Sequence, residues 1–179
     1  MILRTIKEEE MEHTVGLFFG SDTGITEELT HDIVDAFENI EVKEISEAKA
    51  EDFKPYDFIL LGLSTWYDGD LQSDWETFFD EFKTIDFTGK KVAIYGLGDQ
   101  IGYAEYFIDG VGMLAEVVLE NGGEVIGKWP VDGYRHTESK AIIPNDEAYF
   151  YGLALDNDNE SHLNEERITG WLDLITKKL

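Results

Sequence analysis

Residues 14–38 read TVGLFFGSDTGITEELTHDIVDAFE, and this stretch decides the fold class. Its first part, Thr14–Gly20, is a nearly continuous apolar run, which is typical of a parallel strand that is covered on both faces. Its last part, Thr26–Glu38, places Leu29 and Ile33 one helical turn apart on a single apolar stripe. A strand, a short loop and an amphipathic helix in this order predict the first half of a βαβ unit.

The same alternation continues to the C-terminus. Further strand-like runs are Ile40–Ile45, Asp57–Ser64, Lys91–Gly96 and Glu124–Val131. Further helix-like segments are Asp74–Phe82, Tyr103–Glu120 and Asn164–Leu179. The third helix is expected to end at Gly122–Gly123, because glycine tolerates the left-handed dihedrals of a helix terminus. Strands and helices that alternate in this way predict a doubly wound α/β fold with a parallel sheet and helices on both faces.

The composition narrows the function classes. The chain has 179 residues, which fits one domain, and its 39 acidic against 14 basic residues give a net charge of −25. Such a charge repels nucleic acid and anionic membranes and attracts basic partners. No apolar run approaches the roughly 20 residues of a membrane helix. The N-terminal sequence becomes acidic at once and lacks an apolar signal segment, so a cytoplasmic location is expected.

Cysteine is absent, which excludes disulfides, thiolate catalysis and cysteine-ligated iron–sulfur clusters. A redox role would therefore need an organic cofactor or a metal with other ligands. The four histidines are scattered and no two have metal-site spacing, so no metal site is expected. In a doubly wound sheet, ligands bind beyond the carboxyl ends of the strands, and the loops that follow the strands are the place to look for a site.

The loop after the first strand, residues 20–27, reads GSDTGITE. Its hydroxyl groups and backbone N–H groups stand at a helix N-terminus, which predicts an anion site made of neutral donors. The sequence lacks the lysine and the spacing of a Walker loop, and it lacks the three glycines of a dinucleotide fingerprint. The alternative is a helix cap without a ligand, in which Thr23 or Thr26 is the N-cap residue.

Two further loops carry aromatic residues. Residues 64–71 read STWYDGDL, and Trp66 and Tyr67 at the end of a strand would form a wall for a planar ring. Residues 97–103 read LGDQIGY and end in Tyr103. The alternatives are a tryptophan folded back onto the sheet and an ordinary turn capped by Asp99. Together the three loops predict a phosphate site and two aromatic walls around one crevice.

At these residues the chain resembles the flavodoxin family, from about Thr14 to the C-terminus. Residues 21–26 are similar to its phosphate loop, residues 65–69 to its tryptophan loop and residues 98–103 to its tyrosine loop. The resemblance implies a flavodoxin-like, five-stranded parallel sheet of order 2-1-3-4-5, with the ligand at the point where the strand order reverses. The stretch Trp129–Leu155 resembles the insertion that splits the fifth strand in long-chain members. Residues 1–13 would be a flexible extension, and residues 14–179 the FMN-binding domain.

The resemblance also implies the cofactor, FMN, and the residues that hold it. Its phosphate would lie against the loop formed by Ser21, Asp22, Thr23, Gly24, Ile25 and Thr26. Its ring would stack between Trp66 and Tyr103. Backbone groups at the ring edges would come from Ser64, Thr65, Tyr67, Asp68, Gly69, Leu97, Gly98 and Asp99. Outer contacts would come from Tyr106 and Asp158. Leu97 stands where many members have threonine, so its contact would be through the backbone.

The implied function is that of a low-potential electron carrier that passes single electrons between proteins and is not itself an enzyme. Its partners would be basic redox proteins, with a flavodoxin or ferredoxin reductase as donor and ferredoxin-type enzymes as acceptors, and the carrier itself would be a monomer. One alternative on the same fold is an FMN-dependent NAD(P)H quinone or azo reductase, but no second phosphate loop is seen. Another is a receiver domain, which would need an aspartate where Ser64 ends the third strand.

Overall fold

A computed structural model describes residues 14–179. The predicted extension, residues 1–13, lies outside the described residues. The strands are β1 (Val15–Phe19), β2 (Ile40–Glu44), β3 (Phe58–Trp66), β4 (Asp70–Leu71), β5 (Lys91–Leu97), β6 (Glu124–Ile126), β7 (Trp129–Pro130), β8 (Ile142–Ile143), β9 (Asp146–Phe150) and β10 (Leu153–Leu155). The α-helices are α1 (Ile25–Val34), α2 (Ser73–Phe82), α3 (Asp109–Glu120), α4 (Asn157–Glu160) and α5 (Asn164–Thr176). Short 3₁₀ turns occupy Ile45–Glu47, Ala50–Phe53 and Ser161–Leu163.

The main sheet is parallel and has the strand order β2-β1-β3-β5, with β6 and β10 both beside β5. This arrangement confirms the predicted 2-1-3-4-5 order, because β6 and β10 are two halves of the fifth strand. The register aligns Phe19 with Gly62 and Leu61 with Ile94, so the carboxyl ends of β1, β3 and β5 meet at one edge. That edge carries all three predicted loops.

Alternate side chains of the central strands enter two separate cores. Leu60 of β3 and Tyr95 of β5 pack with α1 and α5 on one face, where Trp171 is fully buried. Leu61 and Ile94 pack on the other face with α2 and α3. Because both faces are covered, the strands are apolar along nearly their whole length rather than alternating with polar residues. The predicted helices on both faces are therefore confirmed.

The fifth strand is split by an insertion with its own sheet. The prediction of one strand over Glu124–Val131 is wrong: Gly127 has φ +81°, and this left-handed residue ends β6 at Ile126. Strands β7, β9 and β8 then form a small antiparallel sheet, and β10 returns to pair with β5. None of the helices in the described part of the chain is long and apolar enough to cross a bilayer.

The prediction of one helix over Tyr103–Glu120 is also wrong at its start, because α3 begins at Asp109. In a continuous helix the Ala104 carbonyl would accept the amide of residue 108. Here it accepts the amides of Thr137 and Glu138, at 2.8 and 3.1 Å. The insertion therefore competes for the carbonyl groups that would extend the helix, and residues 103–108 form turns. The predicted end is right, since Gly122 follows α3 with φ +87°.

Candidate cofactor site

The phosphate loop ends at an open helix N-terminus. Gly24 is the N-cap residue of α1 in a left-handed conformation, φ +86°, and no side chain caps the helix. The alternative in which Thr23 or Thr26 caps the helix is therefore wrong. The Gly24 amide donates to Ser21 Oγ at 3.0 Å, which closes the loop into a tight turn. Uncapped first-turn amides together with the helix dipole favour an anion at this position.

Asp22 faces away from the helix terminus and holds the loop from outside. Its carboxylate accepts hydrogen bonds from Ser73 Oγ at 2.5 Å and Gln72 Nε2 at 3.0 Å. Burial alone would raise the pKa of Asp22, but the bonds from Ser73 and Gln72 outweigh it, and the pKa lies below its usual 3.8. The side chain that carries negative charge in this loop is thus directed toward the start of α2.

The tryptophan loop is a short hairpin. Strand β4 pairs antiparallel with the end of β3, which carries β3 to Trp66, two residues beyond its predicted end. Tyr67 and Gly69 in the turn both have positive φ, +46° and +91°, and the Tyr67 side chain is 63% exposed. Thr65 Oγ1 accepts the amide of Gly110 at 3.0 Å, which attaches the hairpin to the first turn of α3.

The tyrosine loop is a turn built on Asp99. Asp99 Oδ1 accepts the amides of Ile101 and Gly102 at 3.0 and 2.7 Å. Burial opposes its ionisation, but bonds from Gly102, Asn159 and Ile101 lower the pKa of Asp99 below its usual value. The ring of Tyr103 stands edge-on to that of Tyr67, with 6.1 Å between ring centroids and an interplanar angle of 88°. The two aromatic loops therefore meet at the mouth of one crevice.

The crevice is a cleft of about 300 Å³ between the three loops and the start of α4. It is lined by Thr23, Ile25, Thr26, Ser64, Thr65, Trp66, Leu97, Gly98, Asp99, Tyr103, Asn157 and Asp158. A second depression beside it includes Asp22 and Tyr67. The predicted residues outside the lining are Ser21, Asp22, Gly24, Tyr67, Asp68, Gly69 and Tyr106.

Most residues outside the lining still lie next to it along the chain, and Tyr106 is the clearest exception. Its ring lies 3.5 Å from where a Cβ on Gly69 would stand, so Tyr106 packs behind the tryptophan loop.

The cleft has an acidic wall. Burial, together with the charges of Asp99 and Asp156, raises the pKa of Asp158 above its usual 3.8. None of the three loops contains lysine or arginine. Within residues 14–179, no group of three histidine, cysteine, aspartate or glutamate side chains could hold a metal ion. The arrangement suits a ligand with one anionic end at α1 and a flat, uncharged body between aromatic rings.

Comparisons with known proteins agree with this geometry. The model of the family described as Flavodoxin matches residues 17–171. The chain belongs to the flavodoxin family. It is 44% identical over 161 residues to the flavodoxin of Picosynechococcus sp., which covers 88% of this chain and 93% of the relative. It is 41% identical over 166 residues to flavodoxin 1 of Escherichia coli K12, with 92% and 93% covered.

Among solved structures, the flavodoxin of Fusobacterium nucleatum bound to flavin mononucleotide is similar, with a TM-score of 0.87 and 30% identity. The match covers 93% of this chain and 98% of the other.

Two features of this flavodoxin's site had not been predicted. Asn157 lines the cleft beside Asp158, and its position directly after the returning strand β10 was the available signal. Gln72 and Ser73 hold the phosphate loop through Asp22, although they lie 50 and 51 residues away in sequence. These bonds join two loops that are adjacent only because of the strand order in the sheet. A local sequence pattern therefore does not predict them.

Proposed function

We propose that this flavodoxin holds FMN in the cleft and carries single electrons at low potential between redox proteins. The observation that carries the proposal is the cleft itself. It joins an uncapped helix N-terminus to Trp66 and Tyr103 at the carboxyl edge of a parallel sheet. This edge is where ligands bind in doubly wound folds.

The phosphate group would be held by the loop from Ser21 to Thr26. The first-turn amides of α1 and the hydroxyls of Ser21, Thr23 and Thr26 supply donors, and no cation is needed. Asp22 would contribute only its backbone, because its carboxylate is bonded to Gln72 and Ser73. Turning this carboxylate away removes a negative charge that would otherwise face the phosphate.

The flavin ring would stack between Trp66 and Tyr103, which both line the cleft. Backbone groups from two segments would contact the ring edges. These segments are Tyr67 to Gly69 in the tryptophan loop and Leu97 to Asp99 before the tyrosine loop turn. Asp158 lines the cleft, and this position supports the proposal that it makes an outer contact with the cofactor. Tyr106 would act through the tryptophan loop, behind which it packs. Residues 14–179 would form the cofactor-binding domain.

One buried atom tests whether FMN fits. Ser64 is 6% exposed and lines the cleft, and its Oγ has no hydrogen-bond partner among the described residues. A buried hydroxyl without a partner costs about 1–3 kcal/mol, so such atoms are rare unless a ligand or water completes them. The polar edge of a flavin ring, or a ribityl hydroxyl, carries groups that can pair with it. The donor set of the cleft therefore fits FMN.

FMN, when bound, supplies the one-electron redox chemistry. The chain's own residues position the ring, exclude water and set the electrostatic environment. Asp99, Asp158 and the other carboxylates around the cleft resist any added negative charge, and no loop cation compensates it. This environment would oppose the build-up of negative charge in the site and would so favour a low reduction potential.

The partners would be proteins with basic surfaces, a flavodoxin or ferredoxin reductase as donor and ferredoxin-type enzymes as acceptors. A net charge of −25 speeds encounters with such proteins and makes them sensitive to salt. Electron-transfer complexes are small and transient, which suits a monomeric carrier. The cytoplasmic location and the monomeric state stay predictions from the sequence.

An absorption spectrum of the purified protein tests the proposal. We expect the bands of bound flavin and, after the flavin is removed, recovery of a one-to-one complex with added FMN. Free riboflavin, which lacks the phosphate, should bind more weakly. The reductase alternative is tested by adding NADPH and a quinone to the loaded protein: steady oxidation of NADPH without another protein would contradict the carrier function.

A further inference from the structure

Gln100 is a buried side chain in an otherwise exposed turn. It is fully buried, whereas Ile101 and Tyr103, which follow it, are 49% and 40% exposed. Gln100 is therefore the side chain that attaches the tyrosine loop to the protein interior. Tyr103, which would face the flavin, lies three positions beyond it. Asp99 adds a second attachment through Asn159 Nδ2 at 2.8 Å, but that bond is exposed to water.

Every polar atom of the Gln100 side chain is used. Its Nε2 donates to Asp156 Oδ2 at 2.8 Å and to Glu160 Oε1 at 2.7 Å. Its Oε1 accepts the amide of Arg135 at 2.6 Å, and its own amide donates to Asp156 Oδ2 at 3.1 Å. Three segments that are remote in sequence thus meet at one amide: the tyrosine loop, the insertion and the region of α4.

The partners of Gln100 are themselves held in place. Asp156 caps α4 by accepting the amide of Asn159 at 3.1 Å, and it directly follows β10. Glu160 is paired with Arg167 at 2.5 Å. The guanidinium of Arg167 also lies 4.4 Å above the ring of Tyr134, next to Arg135. Two of the three residues bonded to Gln100, Asp156 and Glu160, are therefore buried and hold further bonds of their own, whereas Arg135 is exposed and contributes its backbone amide.

We propose that Gln100 is a positioning residue for FMN binding, which acts by holding Tyr103 against the flavin. The inference rests on the proposed function, in which Tyr103 is one wall of the flavin site. The Tyr103 amide donates to the Asp99 carbonyl at 3.1 Å, so the orientation of the turn at Gln100 sets where the Tyr103 ring stands. The insertion takes part because the backbone amide of Arg135 donates to Gln100 Oε1.

A double-mutant cycle on FMN affinity tests this role. Gln100→Leu keeps a side chain of similar size but removes the amide, and Tyr103→Ala removes the ring. We expect Gln100→Leu to raise the Kd for FMN about tenfold in the wild-type background. A tenfold change corresponds to about 1.4 kcal/mol, which is close to the net contribution of one hydrogen bond. In the Tyr103→Ala background the same substitution should raise Kd less than about twofold, since non-additivity reports coupling.

Equal fold-changes in both backgrounds, or an unchanged Kd, would overturn the inference and leave the proposed function standing. Absence of FMN binding by the wild-type chain would overturn both. If Gln100→Leu fails to fold, the same cycle is run with Gln100→Asn, which keeps an amide but is too short to reach both carboxylates.

Asn121→Leu is the matched control. Asn121 Nδ2 also donates two bonds, to the carbonyls of Lys83 and Ile85 at 2.9 and 2.8 Å, but at the opposite end of the sheet. The Asn121→Leu substitution should lower the unfolding temperature of the apoprotein while leaving the Kd for FMN unchanged. A rise in Kd equal to that of Gln100→Leu would show that general destabilisation, not positioning, is being measured, and would count against the role of Gln100.

Discussion

Gln72 Nε2 donates a hydrogen bond to Asp22 Oδ1 at 3.0 Å, and this contact joins the loop after β1 to the loop before α2. Gln72 is fully buried, and its Oε1 accepts the amide of Trp75 at 3.2 Å, so the glutamine is held from both ends. The phosphate loop is therefore braced before any ligand arrives, and the charge of Asp22 contributes to the brace.

The brace predicts a pH-dependent stability. The pKa of Asp22 is lowered in the folded state, so its contribution is present above the unfolded value of 3.8 and is lost as pH falls through the lower folded value. We expect Asp22→Ala to lower the urea midpoint of the apoprotein at pH 6, and the difference from the wild type to shrink as pH falls below 3.8. Asp32→Ala, an exposed carboxylate on α1, is the control. A difference that stays constant with pH would contradict this reading.

Ser64→Ala should have opposite effects on the empty and the loaded protein. Removing a buried hydroxyl that has no partner in the described chain should leave the apoprotein as stable or more stable, because a desolvation cost disappears. FMN should bind about three- to tenfold more weakly, since one hydrogen bond is lost. The measurements are the unfolding temperature without FMN and a flavin fluorescence titration. An apoprotein destabilised by more than the loaded form would refute the explanation.

The two aromatic walls should contribute comparably to affinity. Stacking of a flat ring on an aromatic side chain contributes about 1–3 kcal/mol, so Trp66→Ala and Tyr103→Ala should each raise Kd roughly tenfold to hundredfold. Trp66→Phe should keep most of the affinity, because it keeps an aromatic face. Tyr149→Ala, in the small antiparallel sheet, serves as a distant control. Unchanged affinity in Trp66→Ala would exclude the stacking arrangement.

Tyr67 should be a site of backbone strain. A left-handed conformation costs a residue with a Cβ about 1–2 kcal/mol, and Tyr67 has φ +46°. Tyr67→Gly is therefore expected to raise the unfolding temperature of the apoprotein by about 2–4 °C. Tyr67→Phe keeps both the strain and the edge contact with Tyr103, and it should leave this temperature unchanged. If the glycine variant melts below the phenylalanine variant, the ring contact outweighs the strain.

Electron transfer with a basic partner should slow as salt rises. Exposed charges are screened over about 10 Å at 0.1 M and about 3 Å at 1 M ionic strength. We expect the second-order rate constant with a basic reductase to fall at least about tenfold between these conditions, because steering by the net charge of −25 is lost. Stopped-flow reduction of the loaded protein measures it. A neutral small reductant gives the baseline, and a similar salt effect with that reductant would argue against steering.

The sheet could be predicted from the sequence because it depends on local patterns. The apolar runs that form β1, β3 and β5 are buried on both faces. Each run can be recognised in the sequence by itself, without knowledge of the strands beside it. Two of the element boundaries that differ from the prediction depend on the insertion. The start of α3 depends on Thr137 and Glu138, which occupy the carbonyl of Ala104. The break at Gly127 depends on where the insertion leaves the sheet. A glycine within an apolar run does not by itself predict that the strand ends there.

The site divides in the same way. The three loops are short and contiguous, so their aromatic and hydroxyl residues could be named in advance, and most of them line one cleft. The residues that hold these loops, such as Gln72 and Gln100, are polar side chains that bond to Asp22 and Asp156, which lie 50 and 56 residues away in the sequence. A polar residue in a loop is usually solvated, and only the tertiary structure shows that these two are buried.

The split fifth strand has a consequence for how the chain could change length. Glu124–Ile126 pairs with Lys91–Ala93, and Leu153–Leu155 pairs with Tyr95–Leu97, so both halves lie along one neighbour in successive registers. The sheet already holds the two ends of the insertion close together, because Ile126 pairs with Ala93 and Leu153 pairs with Tyr95, two positions further along β5. Its closure entropy rises only slowly with further length, by about 0.6 kcal/mol per doubling. Segments of many sizes could therefore be gained or lost here while the register of every other strand stays the same.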